Sequence, residues 1–239
     1  MKTEPTEKQL DDLADRAGKA LVSLPKEHAP VVVEFAGSPK AGKSTTIDIH
    51  AHFLKRMGFK VWAPTEGASK RTPYHLKRDL VAFNAWTLNY AISEMLVAYH
   101  NVDHQNIVIL DRGPFDSLAW MGVLKSKGLL DDDEYQIIRQ FALHPKWSKL
   151  IARVYLFKCD PETSLKREHQ TKLTHKGGIA MNPQMLEDLL NQYQMLEGEL
   201  HDYPLRVVDT SAETTPLQTS YDLMVDLLEL IDSRSQGGY

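Results

Sequence analysis

The chemistry of this sequence gathers in one short stretch, Gly37-Ser38-Pro39-Lys40-Ala41-Gly42-Lys43-Ser44-Thr45. Gly37 to Ser44 fits G-x-x-x-x-G-K-[ST], a phosphate-binding loop. Its two glycines let the backbone turn tightly and approach an anion closely. The loop N–H groups and the positive end of the following helix then face the phosphates. Lys43 has the reach to meet β- and γ-phosphates, and the Ser44 hydroxyl suits Mg²⁺. ATP and Mg²⁺ are therefore the expected cofactors. A chance match in an ordinary strand-to-helix turn would lack the context seen here. An apolar, β-branched run from Val31 precedes the loop, and a periodic helix from about Lys43 to Met57 follows it.

Phosphoryl chemistry also needs a carboxylate near the metal and cations for developing charge. Asp111-Arg112 directly follows the continuous apolar run Ile107-Val108-Ile109-Leu110. Asp111 then stands where a Mg²⁺-associated carboxylate is useful, and Arg112 suits phosphoryl oxygens. A helix cap with a surface arginine is the plainer reading of the pair. Lys70, Arg71, Lys77 and Arg78 make the entrance of a long helix basic. That reads equally as a solvated face or as a grip on an anionic substrate. His50 and His52 are two residues apart and point to different helix faces, a poor metal pair. His100 and His104 have i, i+4 spacing but lie at a helix end, where a surface role fits better.

These residues need elements to hold them. An amphipathic helix is expected over about 6–24, with Thr6 and Gln9 as a capping box. Strands are expected at Val31–Ala36, Phe59–Ala63, Ile107–Leu110, Val154–Phe157 and Leu205–Asp209. Between them the pattern predicts helices over about Pro73–Tyr99 (capped by Thr72), Pro114–Leu124, Asp132–Phe141, Pro161–Arg167, Pro183–Leu200 and Leu217–Ile231. Alternating strands and helices argue a parallel sheet covered on both faces. Ligands then sit beyond the carboxyl ends of the strands, where the phosphate loop, Glu66, Asp111-Arg112 and Asp209-Thr210-Ser211 all fall. The organisation expected is a helical extension over 1–29, a catalytic domain over 30–232 with a lid at about 166–182, and a flexible tail over 233–239.

Composition bounds the class. With 239 residues, 42% hydrophobic and 25% charged, the chain suits a globular domain that needs no staples. A net charge of −4 gives no bulk attraction for polyanions. The single cysteine, Cys159, excludes an intrachain disulfide and fits a reducing cytoplasm. The N-terminus does not read as a signal peptide, and no apolar run is long enough to span a bilayer.

The third-strand segment Asp111-Arg112-Gly113-Pro114-Phe115-Asp116-Ser117-Leu118-Ala119-Trp120-Met121-Gly122 resembles the D-R-Y-x-x-S-S-x-A-Y-Q-G of the thymidylate kinase group, whose near relatives are the deoxynucleoside kinases. Val154 to Glu162 with Leu165-Lys166-Arg167 resembles that group's fourth strand, D-P-E and lid entry. Val207-Val208-Asp209-Thr210-Ser211 resembles its fifth strand and adenine-side loop. The similarity covers about residues 30–232. It implies an α/β P-loop NTPase fold, a three-layer sandwich with five parallel strands in the order 2-3-1-4-5. It also implies that Asp111 assists Mg²⁺ and that Arg112 bridges donor and acceptor. Arg167 and Lys166, with Lys172 or Lys176, would be lid cations, and Thr210 and Ser211 would border the adenine. By analogy with deoxynucleoside kinases, Glu66 would be a base for a hydroxyl acceptor.

The departures bear on the acceptor. Thymidylate kinases carry R-E-P after the second strand, where this chain has Thr65-Glu66-Gly67. Thr87 falls where they carry an arginine, and Asn89 falls near a glutamine-like position. Gly113 and Asp116 replace a tyrosine and a serine. Two cations for an acceptor phosphate are thus missing, although Arg71 and Arg78 could replace them. The resemblance favours an ATP-dependent kinase acting on a nucleoside, nucleotide or related hydroxyl compound. The alternatives are a nucleotide-binding regulatory protein or ATPase without an acceptor, and a kinase whose acceptor is a nucleic-acid hydroxyl or a non-nucleotide metabolite. The acidic balance disfavours nucleic acid, no membrane partner is indicated, and a homodimer stays open.

Overall fold

The computed structural model describes residues 4–25, 29–64, 71–101, 105–171, 180–212 and 215–236. Its centre is a five-stranded sheet in the order β2-β3-β1-β4-β5. The strands are β1 (Val31–Gly37), β2 (Val61–Trp62), β3 (Ile107–Asp111), β4 (Ile151–Lys158) and β5 (Leu205–Asp209). All pairings are parallel, with Phe35 opposite Asp111 on one side and Gly37 opposite Phe157 on the other. This is the P-loop NTPase order. It brings the ends of β1 and β3 together, which is what the phosphate loop and Asp111-Arg112 require.

Nine helices are described: α1 (Glu7–Ser23), α2 (Lys43–Arg56), α3 (Leu80–Tyr99), α4 (Pro114–Ser126), α5 (Asp132–Ala142), α6 (Pro145–Ser148), α7 (Pro161–Thr171), α8 (Pro183–Glu199) and α9 (Pro216–Gln236). They split by the two-residue alternation of the strands. Val32, Ala36, Leu110 and Leu156 face a core completed by Met95, Phe115, Leu118, Leu189 and Tyr193 from α3, α4 and α8. Val33, Phe35, Ile109, Tyr155 and Phe157 face the opposite core, closed by Leu13, Ala17, Leu54, Leu223 and Leu227 from α1, α2 and α9. β1 is buried along its whole length, Glu34 included.

Thr6 and Gln9 form the expected capping box. α1 lies on α9, and Arg16 reaches Asp232 at 2.9 Å. Boundaries differ from expectation in several places: β4 already begins at Ile151, and α7 runs on to Thr171. The helix expected over Pro73–Tyr99 is broken: a 3₁₀ turn at Tyr74–Arg78 ends at Asp79. Asp79 has extended backbone, and its carboxylate accepts from Val81 N and Ala82 N at 3.0 Å each, so it starts a new helix instead of continuing one. β2 is confined to Val61–Trp62, the length that pairs with Ile107 and Val108. α9 continues to Gln236, beyond Ile231, into the stretch expected to be a flexible tail.

Candidate active site

β1 runs straight into the loop. Gly37 has φ +130°, and a Cβ placed on it would meet the Phe157 carbonyl oxygen of β4. The neighbouring Ser38 N–H donates to that same carbonyl at 2.9 Å. Gly42, at φ +96°, turns the chain into α2. Lys43 is buried, and its Nζ donates to the Gly37 and Ser38 carbonyls at 2.8 Å each, folding the ammonium over its own loop. Pro39, Lys40, Ala41 and Thr45 complete the segment, with Ala41 buried and Thr45 exposed.

The sheet order delivers Asp111 next to Ser44. Ser44 Oγ lies 3.5 Å from Asp111 Oδ2. Among the described residues no group of three or more His, Cys, Asp or Glu side chains could hold a metal. A hydroxyl and a carboxylate side by side nevertheless fit Mg²⁺, which keeps waters and takes few protein ligands besides substrate phosphates.

Arg112 follows in a left-handed conformation, φ +64°, uncommon for a residue with a Cβ. Its Nη1 donates to Asp116 Oδ2 at 2.6 Å and reaches the Gly37 carbonyl at 3.4 Å. Asp116 Oδ1 in turn accepts from Gly37 N at 2.8 Å and from the Tyr193 hydroxyl of α8 at 2.6 Å. Burial pushes the Asp116 carboxyl up, but Arg112, Lys43, the Tyr193 hydroxyl and the Gly37 N–H outweigh it and hold the carboxyl below its ordinary range.

Beneath this lies Glu34, a residue that sequence reasoning missed. Its Oε1 accepts from Gly113 N and Asp116 N at 3.0 and 2.8 Å, and its Oε2 from Phe115 N at 3.2 Å. The carboxylate therefore satisfies the otherwise unpaired N–H groups at the start of α4. Burial, aided by the Asp116 charge, still pushes its pKa up to about 8 against the pull of those N–H donors. Glu34 also accounts for the glycine at 113. A Cβ there would stand 2.6 Å from the pinned carboxylate. The available signal was a lone acidic residue inside the apolar run Val31–Phe35.

The elements expected to border the adenine also meet the loop. Arg167 of α7 donates from Nη2 to the Thr210 carbonyl at 2.7 Å and from Nη1 to the Lys40 carbonyl at 3.2 Å. The next residue, Glu168, pairs with Lys40 at 2.9 Å. Ser211 Oγ accepts from Asp160 N at 3.0 Å. Arg167 thus joins the phosphate loop to the end of β5.

The residues expected around the acceptor are less convergent. Thr87 Oγ1 and Asn89 Nδ2 both donate to carbonyls of their own helix, Asn84 O and Ala85 O, at 2.9 and 2.8 Å. Arg78 and Arg71 are exposed. Arg71 does approach α3: burial and Glu94 raise the Tyr90 phenol, and Arg71 pulls against them. Tyr90 stacks on Trp86, rings 5.3 Å apart and 5° from parallel. Glu66, Thr65, Lys70, Lys172 and Lys176 lie outside the described residues.

No protein-family model matches the chain, and no curated protein matches it. Solved structures do. The chain superposes on deoxyadenosine kinase from M. mycoides with bound dCTP at a TM-score of 0.59 and 18% identity, over 83% of this chain and 99% of that one. The same enzyme with bound dATP gives 0.58 and 18%, over 84% and 100%. With products dCMP and a flexible dCDP it gives 0.59 and 18%, over 83% and 99%. The fold is that of a deoxynucleoside kinase-like P-loop kinase. The sheet order implied by the resemblance is the order observed.

Proposed function

We propose that this protein is an ATP-dependent kinase that transfers a phosphoryl group to an uncharged hydroxyl of a nucleoside-like acceptor. The observation that carries the reading is the convergence of Lys43, Ser44, Asp111 and Arg112 at the ends of β1 and β3, with Ser44 Oγ 3.5 Å from Asp111 Oδ2. Such a constellation does what phosphoryl transfer needs, which is positioning and charge neutralisation.

The loop backbone from Gly37 to Thr45 cradles the triphosphate, and Lys43 meets its β- and γ-oxygens. Ser44 and Asp111 would hold Mg²⁺, which when bound offsets charge on the transferring phosphoryl group. Arg112 orients oxygens between donor and acceptor. Thr210 and Ser211 border the base, with Arg167 fixing that loop against Lys40. Glu66 takes the proton that a hydroxyl must lose as its oxygen bonds to phosphorus. A monophosphate acceptor would need buried cations. Thr87 offers none, and its hydroxyl is turned to its own helix. Trp86 and Tyr90 on α3 offer a flat aromatic surface, as a base would require. Arg71 lies near enough to this surface to act on the Tyr90 phenol.

The proposal includes a cytoplasmic protein working on small molecules, and leaves a homodimer compatible with it. No helix among the described residues is long and apolar enough to cross a membrane. The test is coupled ADP release over a panel of nucleosides and their monophosphates. Acceptor-dependent turnover with a nucleoside supports the proposal. Slow hydrolysis that ignores every acceptor would identify an ATPase or a nucleotide switch instead.

A further inference from the structure

The reading above uses Arg112 as a cation and gives Asp116 no part. Yet Asp116 is among the most constrained side chains in the site. Its carboxylate is 2% exposed and sits 2.6 Å from the Arg112 guanidinium. Gly37 N–H and the Tyr193 hydroxyl hold its other oxygen at 2.8 and 2.6 Å, so it cannot swing away. The left-handed backbone at Arg112 fixes the root of that side chain, and Asp116 fixes its tip. Lys43 from α2 also acts on this carboxylate, and the buried Glu34 of β1, held protonated up to about pH 8, lies beside it.

This pairing has an electrostatic consequence. In a poorly polarisable interior, an arginine in contact with a carboxylate offers an incoming dianion little net attraction. A neutral hydroxyl loses nothing by that.

We propose that Asp116 is a positioning residue that sets acceptor specificity: it holds Arg112 against the phosphate loop and offsets its charge, so that the site accepts an uncharged hydroxyl compound and rejects one that already carries a phosphate. This rests on the phosphoryl-transfer reading and deepens it.

Asp116→Asn is the informative substitution. Its side-chain oxygen keeps the Gly37 and Tyr193 bonds, while its amide meets Arg112 donor to donor. The first readout is calorimetric titration of inorganic phosphate into protein saturated with Mg²⁺ and a non-hydrolysable ATP analogue, which needs no knowledge of the acceptor. Phosphate is expected to bind D116N about tenfold more tightly than wild type, the effect of removing one close opposing charge. The second readout is kcat/KM for deoxyadenosine against its monophosphate, a ratio expected to shift toward the monophosphate. Tyr193→Phe removes a bond from the same carboxylate without changing charge, so it lowers stability and leaves phosphate affinity alone. If D116N does not fold, the charge-neutral double variant R112Q/D116N is compared with R112Q, and the double variant is expected to bind phosphate more tightly. Equal phosphate affinity within either pair would overturn the proposal. A wild type that fails to bind the ATP analogue would remove the phosphoryl-transfer reading and this inference with it. Analogue binding with unchanged phosphate affinity removes this inference alone.

Discussion

Gly37 lies so near β4 that a Cβ on it would stand 2.0 Å from the Phe157 carbonyl oxygen. That oxygen belongs to the backbone of a central strand and already accepts the Ser38 N–H, so it has no room to give. Gly37→Ala is therefore expected to cost more than about 3 kcal/mol of stability, or to displace the loop enough to end nucleotide binding. Denaturant unfolding and ATP-analogue titration check both effects. A variant with wild-type stability and affinity would mean that the loop is not held against β4 as described.

Lys43→Ala removes the ammonium and leaves the loop N–H groups. Turnover is expected to fall by about a hundredfold or more, the scale seen when one preorganised donor is lost at a developing charge. The variant should stay folded, with unchanged circular dichroism. Full turnover in a folded K43A protein would refute the assignment of the loop.

Arg167→Ala tests the adenine side. The guanidinium ties Thr210 O to Lys40 O, so its loss frees the loop proposed to border the base. Charged hydrogen bonds of this kind contribute about 1.5–3 kcal/mol, and the KM for ATP is expected to rise about tenfold or more with a smaller change in kcat. A collapse of kcat at constant KM would instead place Arg167 on the transferring phosphoryl group, as a lid cation.

Glu66→Gln changes charge and little else in shape. If Glu66 takes the hydroxyl proton, kcat falls far more than KM rises, and nucleosides outperform their monophosphates in kcat/KM. A monophosphate that clearly wins, with Arg71 or Arg78 necessary for it, would show that the basic entrance replaces the missing arginines.

Stability should also depend on pH in a defined way. Burial pushes Glu34 from 4.5 to about 8, so the folded chain keeps a proton there that the unfolded chain releases. Stability from this group is present below pH 4.5 and is lost as pH rises toward about 8. His50 has the opposite sign. Burial pushes it from 6.5 down to about 4, so its contribution is present above pH 6.5 and is lost as pH falls toward 4. The two oppose each other up to pH 6.5, and above that only Glu34 of this pair acts. Denaturant stability is expected to decline between pH 6.5 and 8, and Glu34→Gln should flatten that decline. A wild-type profile that is flat over this range would contradict the protonated state of Glu34.

Much of this was legible from residue order. The phosphate loop declares itself because its glycines, lysine and serine sit at fixed spacing between a β-branched run and a periodic helix. The double-sided burial of β1, β3 and β4 follows from their continuous apolar runs. Glu34 was not legible in the same way. Its partners lie 79 to 82 residues away, and only the sheet order brings the start of α4 over it. Asp116 is similar: it stands where the resemblance places a serine, and its role depends on Tyr193, 77 residues on. The break at Asp79 was missed because helical periodicity resumes after it almost in phase. The capping carboxylate of Asp79 is the clue.

The contact of α1 with α9 joins residues 216 positions apart through Arg16 and Asp232. Synthesis runs from one end, so the order of manufacture and the order of burial are reversed here. At about 5–20 residues per second, roughly 10–40 s pass between the emergence of α1 and that of its cover. Throughout that interval Leu13, Ala17 and Ala20 have no α9 to lie against. α1 is made before the rest of this fold and is among the last of its helices to be enclosed, so a nascent chain stalled before α9 would present this apolar stripe to whatever waits at the ribosome exit.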